Sequence, residues 1–201
     1  MILEGIVTTL SPEGVLNIAP MGPKLGPDLS LQRFELRPYC GSTTFQNLRA
    51  RGEGVFHVTD DVLLLAQSAI GRELDPPPEL QPAQVVEGWI IAGSCRYHEF
   101  RTLECDDRED RARILVETVA QGRIRDFLGF NRARHAVVEA AILATRTGFL
   151  PMEEILTQLD RLGIIVSKTG GAAEERAFHI LYEHVFNIQS SAFLSSEAGP
   201  S

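Results

Sequence analysis

The sequence predicts an α+β fold, strands first and helices second. Its first hundred residues break into short β-branched and threonine-rich runs separated by Pro/Gly turns, whereas from Asp106 the apolar residues recur at the helical period. The two kinds of segment do not alternate, which argues against a doubly wound parallel sheet. With 201 residues and 44% hydrophobic composition, the chain has the size of one large domain, or a domain and a half, and an ordinary globular make-up. The formal net charge is −8 and neither half is basic, so nucleic acid and an anionic membrane surface are not expected partners. No run approaches the roughly 20 apolar residues that a membrane-spanning helix needs.

Taken in order, Ile2 to Leu10 reads as a strand, Ser11-Pro12-Glu13-Gly14 as a turn and Val15 to Ala19 as its hairpin partner. Pro20 to Pro23 and Gly26 to Asp28 make a loop, and Ser30 to Arg37 an edge or barrel-wall strand. Ser42-Thr43-Thr44 reads as a helix start, with Arg49 and Arg51 in the last turn and Gly52 just past it. Gly54 to Thr59 is a strand, and Asp60 and Asp61 cap a helix reaching about Ile70. Asp75 to Pro82 is an extended proline-rich loop, and Val85 to Glu104 a second hairpin turning at Gly93-Ser94.

Beyond this point Ala112, Leu115, Val116 and Val119 stand at helical spacing, predicting a helix that ends at Gly122. A second helix runs from Asn131 to Arg146 with an alanine-rich stripe, a third follows Pro151 at its first position and stops at Gly163, and a last one carries Ala173, Ala177, Ile180 and Leu181. The expected organisation is a barrel domain over residues 1–105, a helical part over 106–195 packed on it, and a frayed tail over 196–201.

Three cysteines, Cys40, Cys95 and Cys105, are too few for a disulfide framework and contain no zinc-type pair, which suits a soluble, unprocessed protein of the reducing cytoplasm. No His/Cys cluster proposes a metal. Arg37 to Thr44 is the densest polar cluster: a cation, several hydroxyls and a helix N-terminus are what a phosphate monoester wants, although the same residues also read as an ordinary helix cap. Thr8, Thr9 and Asn17 form a second candidate, because Asn17 in a barrel wall needs hydrogen-bond partners that a planar heteroaromatic ligand could supply; a surface-facing Asn is the alternative. Ser167-Lys168-Thr169-Gly170-Gly171 lacks the order of a P-loop and reads as an anion or carbonyl clamp, or simply a capping loop. His135 and Glu139 share a polar stripe of the kind found on solvated helices.

Together, the threonine-rich first strand, the segment Asn17-x-Ala19-Pro20-Met21-Gly22, the strand ending in Arg37-Pro38 and the helix start Ser42-Thr43-Thr44-Phe45-x-Asn47-Leu48 resemble the FMN-binding split barrels of flavin reductase type. More narrowly, Gly129 to Arg146 with Lys168 to Gly171 resembles the uncharacterised family labelled domain of unknown function 447. The resemblance implies an α+β fold in which an N-terminal split β-barrel is followed by a C-terminal helical part, and a homodimer with FMN in a groove between subunits. It also implies that Arg37, Ser42, Thr43 and Thr44 hold the phosphate, and that the backbone around Thr8, Thr9 and Asn17 through Ala19 to Pro20 lines the isoalloxazine. Asn131, Lys168 and Thr169 then close the site; a cation near flavin N1 and the C2 carbonyl stabilises the reduced ring, and Lys168 is the candidate for it.

Flavin chemistry needs no side-chain acid or base, because hydride moves through the ring's N5 and the protein binds and tunes it. A flavin-dependent oxidoreductase acting on a small cytoplasmic substrate is therefore the expected activity. A non-catalytic FMN carrier, or an interaction protein whose barrel has lost its ligand, are the alternatives.

Overall fold

A computed structural model describes the backbone of residues 1–197 and the side chains of residues 1–190; of the expected tail, residues 198–201 lie outside the described residues. The chain divides into two compact units, one of Met1–Asp61 with Asp75–Leu128, the other of Val62–Leu74 with the chain from Gly129 onward.

The first unit holds β1 (Ile6–Leu10), β2 (Leu16–Pro20), β3 (Lys24–Leu25), β4 (Arg33–Leu36), α1 (Thr43–Arg51), β5 (Glu53–Val58), β6 (Leu80–Pro82), β7 (Trp89–Ile91), β8 (Arg96–Asp106) and β9 (Arg113–Arg123). Seven strands form one curled antiparallel sheet in the order β2-β1-β5-β8-β9-β4-β3. The two ends of that order lie on the same run of chain. The β1–β2 register, Ile6 opposite Pro20, continues to the bridge between Ile2 and Lys24, while Lys24 on its other side pairs with Glu35 of β4. Segment 16–25 thus borders β1 along its length and β4 at its far end, and the sheet closes into a barrel.

Residues of β1 are buried on both faces. Because side chains alternate, Val7 enters the barrel core with Phe34, Leu36, Phe56, Phe100, Ile114 and Val116, and Thr9 shares its face. Phe34 meets the rings of Phe56 and Phe100 at 5.8 Å, and burial of each such side chain stabilises by about 1.5–3 kcal/mol. Helix α1 adds Phe45 and Leu48 to this core. Its N-cap Ser42 accepts from the Phe45 amide and its C-cap Gly52 adopts φ 70°, as the start and stop residues predict. The opposite face of β5 and β8 carries Val55 and Tyr97, covered by Val86 and Ile90 of the strap that contains the β6–β7 pair.

Two expectations fail here. Residues 113–123 are a strand, not a helix: Ile114, Val116 and Thr118 alternate inward while Arg113, Leu115, Glu117 and Val119 face out, so the apparent helical spacing of Ala112, Leu115, Val116 and Val119 mixes the two faces. Nor do Val85 to Glu104 form a hairpin: β7 pairs with β6, drawn from the proline-rich segment, and β8 pairs with β5 and β9. The turn at Gly93-Ser94 is where the chain leaves the strap for the sheet.

The second unit is helical, with α2 (Val62–Ala69), α3 (Arg132–Ala144), α4 (Met152–Thr169) and α5 (Ala172–Glu197). Small residues on α3, namely Ala133, Ala136, Ala140, Ala141 and Ala144, are buried beside Ile155 and Leu159 of α4 and Leu181 and Val185 of α5. Pro151 is the N-cap of α4, one place before its expected position. That helix runs through Gly163 to Thr169, since a missing Cβ there leaves room for the Phe178 ring, 3.1 Å from where a side chain would begin. The backbone stays helical through Glu197, past the expected start of the tail. No helix among the described residues is long and apolar enough to cross a membrane.

Candidate functional site

The first strand's two threonines point in opposite directions. Thr9 Oγ1 accepts from Asn47 Nδ2 at 3.0 Å and from Asn17 Nδ2 at 3.3 Å, and Asn17 Nδ2 also donates to Thr44 Oγ1 at 3.0 Å. Thr9, Thr44 and Asn47 are buried and Asn17 is half-buried, so this network of amides and hydroxyls joins β1, β2 and α1. Thr8, on the other face, donates to the Trp89 carbonyl at 2.6 Å and so clasps β7 to β1. The register places Asn17 and Ala19 on the Thr9 side and Ile18 and Pro20 on the Thr8 side.

At the start of α1, Ser42 Oγ donates to the Tyr39 carbonyl at 2.7 Å and receives the Phe45 amide at 3.2 Å, so its hydroxyl is a cap. Thr44 turns inward to Asn17. Thr43 is exposed, and the first-turn amides of Thr43 and Thr44 are the ones a helix leaves without internal acceptors. Gly41 is exposed too, with nothing within 4 Å of where a side chain would begin. An anion therefore finds open space, amide donors and one hydroxyl here. Arg37 Nε lies 3.5 Å from Glu35 Oε1, a carboxylate also held by Arg113, and is itself buried without a hydrogen bond.

Asn131, Lys168 and Thr169 lie in the second unit. Asn131 caps α3 by accepting the Arg134 amide and donates to the Thr169 carbonyl at 3.0 Å, while Thr169 Oγ1 donates back to Ile165. Glu174 accepts from Arg134 Nε at 2.8 Å and from the Gly171 amide at 3.0 Å, tying the same junction. Lys168 stands exposed in the last turn of α4. An open depression of about 650 Å³ between α3 and α4, lined by Glu139, Glu153, Glu154 and Arg161, contains none of the nominated residues.

Three roles escape a reading of sequence. The role of Asn47, which the helix-start motif names without assigning one, is to complete the Thr9 network as a buried amide one turn after Thr44 on the buried face of α1. Glu99, fully buried, accepts the amides of Gln84, Val85 and Val86 at 2.7–3.0 Å, fastening the strap. His57 accepts the Ile91 amide at Nε2 and meets the Ile6 carbonyl at Nδ1, which assigns the neutral ring with its proton on Nδ1. Burial pushes His57 down to about 4; His98, buried beside Phe56 with no partner at either nitrogen, is also pushed down to about 4, by burial and then by the Arg96 charge.

The closed barrel, its capping helix and the helices that follow define a split-barrel protein of α+β class. The chain belongs to the DUF447 family: its residues 3–125 match the model described as "Protein of unknown function (DUF447) N-terminal domain", and residues 131–183 the one described as "Protein of unknown function (DUF447)". The solved FMN-bound protein MM1853 of Methanosarcina mazei, a member of the same family, is 22% identical over 91% of this chain and 94% of its own, with a TM-score of 0.78. Similarity to nitrilotriacetate monooxygenase component B of Bacillus cereus (15% identity, TM-score 0.50) covers 61% of this chain and 70% of that one. Flavoredoxin of Methanosarcina acetivorans is similar at 9% identity and TM-score 0.50, over 61% and 68%. No curated protein sequence matches.

Proposed function

We propose that this chain binds FMN and acts as a flavin-dependent oxidoreductase on a small cytoplasmic substrate. The observation that carries the reading is the open helix start at Gly41 to Thr44, set beside the β1–β2 wall in a fold shared with an FMN-bound family member. The residues present fit the group. The amides of Thr43 and Thr44 and the Thr43 hydroxyl would take the phosphate, with the α1 dipole adding favourable charge. Segment 17–20 of the half-buried edge strand β2 would line the ring. Ser42, Thr9, Asn17 and Thr44 hold that frame in place through their own hydrogen bonds.

When bound, FMN supplies hydride exchange at N5; the chain's own task is to seat the ring and exclude water. We place the working form as a homodimer. Phe130 and Phe149 of the second unit are 94% and 79% exposed, apolar surface that a second copy would cover.

Purified protein is expected to be yellow, or to turn yellow on adding FMN, and to bleach when mixed anaerobically with NADH or NADPH. Flavin that binds but is reduced by neither nucleotide favours the carrier reading. A colourless protein that takes up no FMN overturns the proposal.

A further inference from the structure

We infer that Arg111, stacked on Tyr39, is the cation that pairs with the ligand's phosphate at the start of α1. This rests on the FMN reading above and deepens it, by naming the full charge that a dianion wants beyond helix amides and a hydroxyl. The backbone brings the parts together. The Cys40 amide donates to the Asp110 carbonyl and the Ala112 amide to the Pro38 carbonyl, both at 2.9 Å, so Tyr39 stands opposite Arg111. Residues paired in this way project on the same side, and the Arg111 guanidinium lies over the Tyr39 ring, 3.9 Å from its centre. Arg111 Nη1 also donates to the Arg37 carbonyl at 3.3 Å. The Tyr39 carbonyl in turn accepts the Ser42 amide at 2.9 Å and the Ser42 hydroxyl at 2.7 Å, so the residue beneath Arg111 is the one to which the N-cap of α1 is fastened. Gly41, between Tyr39 and Thr43, leaves open space beside them.

Arg111 differs from the arginines around it in that no carboxylate claims it. Arg37 and Arg113 share Glu35, Arg49 is paired with Asp107 at 3.3 Å and Arg108 with Asp106 at 2.6 Å. Among the described residues Arg111 makes no ion pair, although Glu109 and Asp110 adjoin it in the chain. A guanidinium stacked on a ring and bonded at one nitrogen keeps a planar fork of N–H groups, which meets a phosphate with two parallel bonds. The stack also restricts the side chain before any ligand arrives, so less freedom is lost on binding.

The test is affinity for FMN and for riboflavin, which has the ring without the phosphate, at several NaCl concentrations for wild type, Arg111→Gln, Arg111→Lys and Thr43→Ala. Arg111→Gln is expected to weaken FMN roughly tenfold, to leave riboflavin unchanged and to flatten the fall of FMN affinity with added salt, because one charge pair is gone. Arg111→Lys should keep the salt dependence and only part of the affinity, since it retains the charge and loses the fork. Wild-type FMN affinity in Arg111→Gln, or equal losses for FMN and riboflavin, overturns the inference. If Thr43→Ala still loses FMN alone in that case, the phosphate site at the helix start stands without Arg111. A wild type that binds neither flavin overturns both readings.

Discussion

Single residues carry the structure's most specific commitments. Glu99 is a buried carboxylate that accepts three backbone amides and, among the described residues, makes no ion pair with a cation, so the amide dipoles balance it. Glu99→Gln turns one acceptor into a donor facing N–H groups. The expected cost is about 1–3 kcal/mol or more, with faster proteolytic cleavage in segment 75–92 than in wild type; an unaltered cleavage rate contradicts the role assigned to it. The histidines set a pH window. His57 and His98 stay neutral in the fold down to about 4, while in the unfolded chain they titrate near 6.5. Between those values the unfolded state binds more protons, so the stability they contribute is complete above about 6.5 and falls as the pH drops toward 4, by up to about 3 kcal/mol for His57. Urea midpoints measured from pH 7 to pH 4.5 should fall. His98→Leu, which removes a ring with no hydrogen-bond partner, should keep or raise stability at pH 7 and flatten that fall. An equally steep fall in the variant argues against the assignment.

Among the elements, α1 was legible because Ser42 and Gly52 mark its ends, and the β1–β2 hairpin because Gly14, at φ 84°, closes its turn. Strand β9 was not legible. Its outward residues Leu115 and Val119 are apolar, so a period of two looked like a period of 3.6, and only pairing with β4 and β8 distinguishes them. The site was half legible for a related reason. Sequence brings hydroxyls to the helix start, but which of them face in, as Thr44 does, and which face out, as Thr43 does, is settled by where α1 lies on β1. Strand alternation puts Arg37 beside Glu35, a pairing that the run of residues alone does not announce. Close strand approach also has a testable cost. A Cβ on Gly54 would stand 2.8 Å from the Thr8 carbonyl oxygen, backbone that cannot swing aside, so Gly54→Ala is expected to destabilise by about 1–3 kcal/mol in a chemical melt. A wild-type midpoint would contradict so close an approach of β1 to β5.

At the scale of the molecule, the barrel depends on β9, which joins β8 to β4. A fragment of residues 1–105 lacks that strand and is expected to give no cooperative unfolding transition; a sharp transition from it would contradict the ring closure. The proposed homodimer predicts a light-scattering mass of twice the 22.2 kDa chain at micromolar concentration, and the monomer mass counts against it. Both matter to function only if the helix start and strand edge of this barrel hold a flavin phosphate and ring. That central claim is tested most directly by titrating FMN and riboflavin into wild type and Thr43→Ala. Wild type should prefer FMN. The variant should lose a hydrogen bond to a charged group, worth roughly 1.5–3 kcal/mol, or about one to two decades in FMN affinity, with riboflavin affinity unchanged. Equal losses for the two ligands, or none for either, would contradict the account.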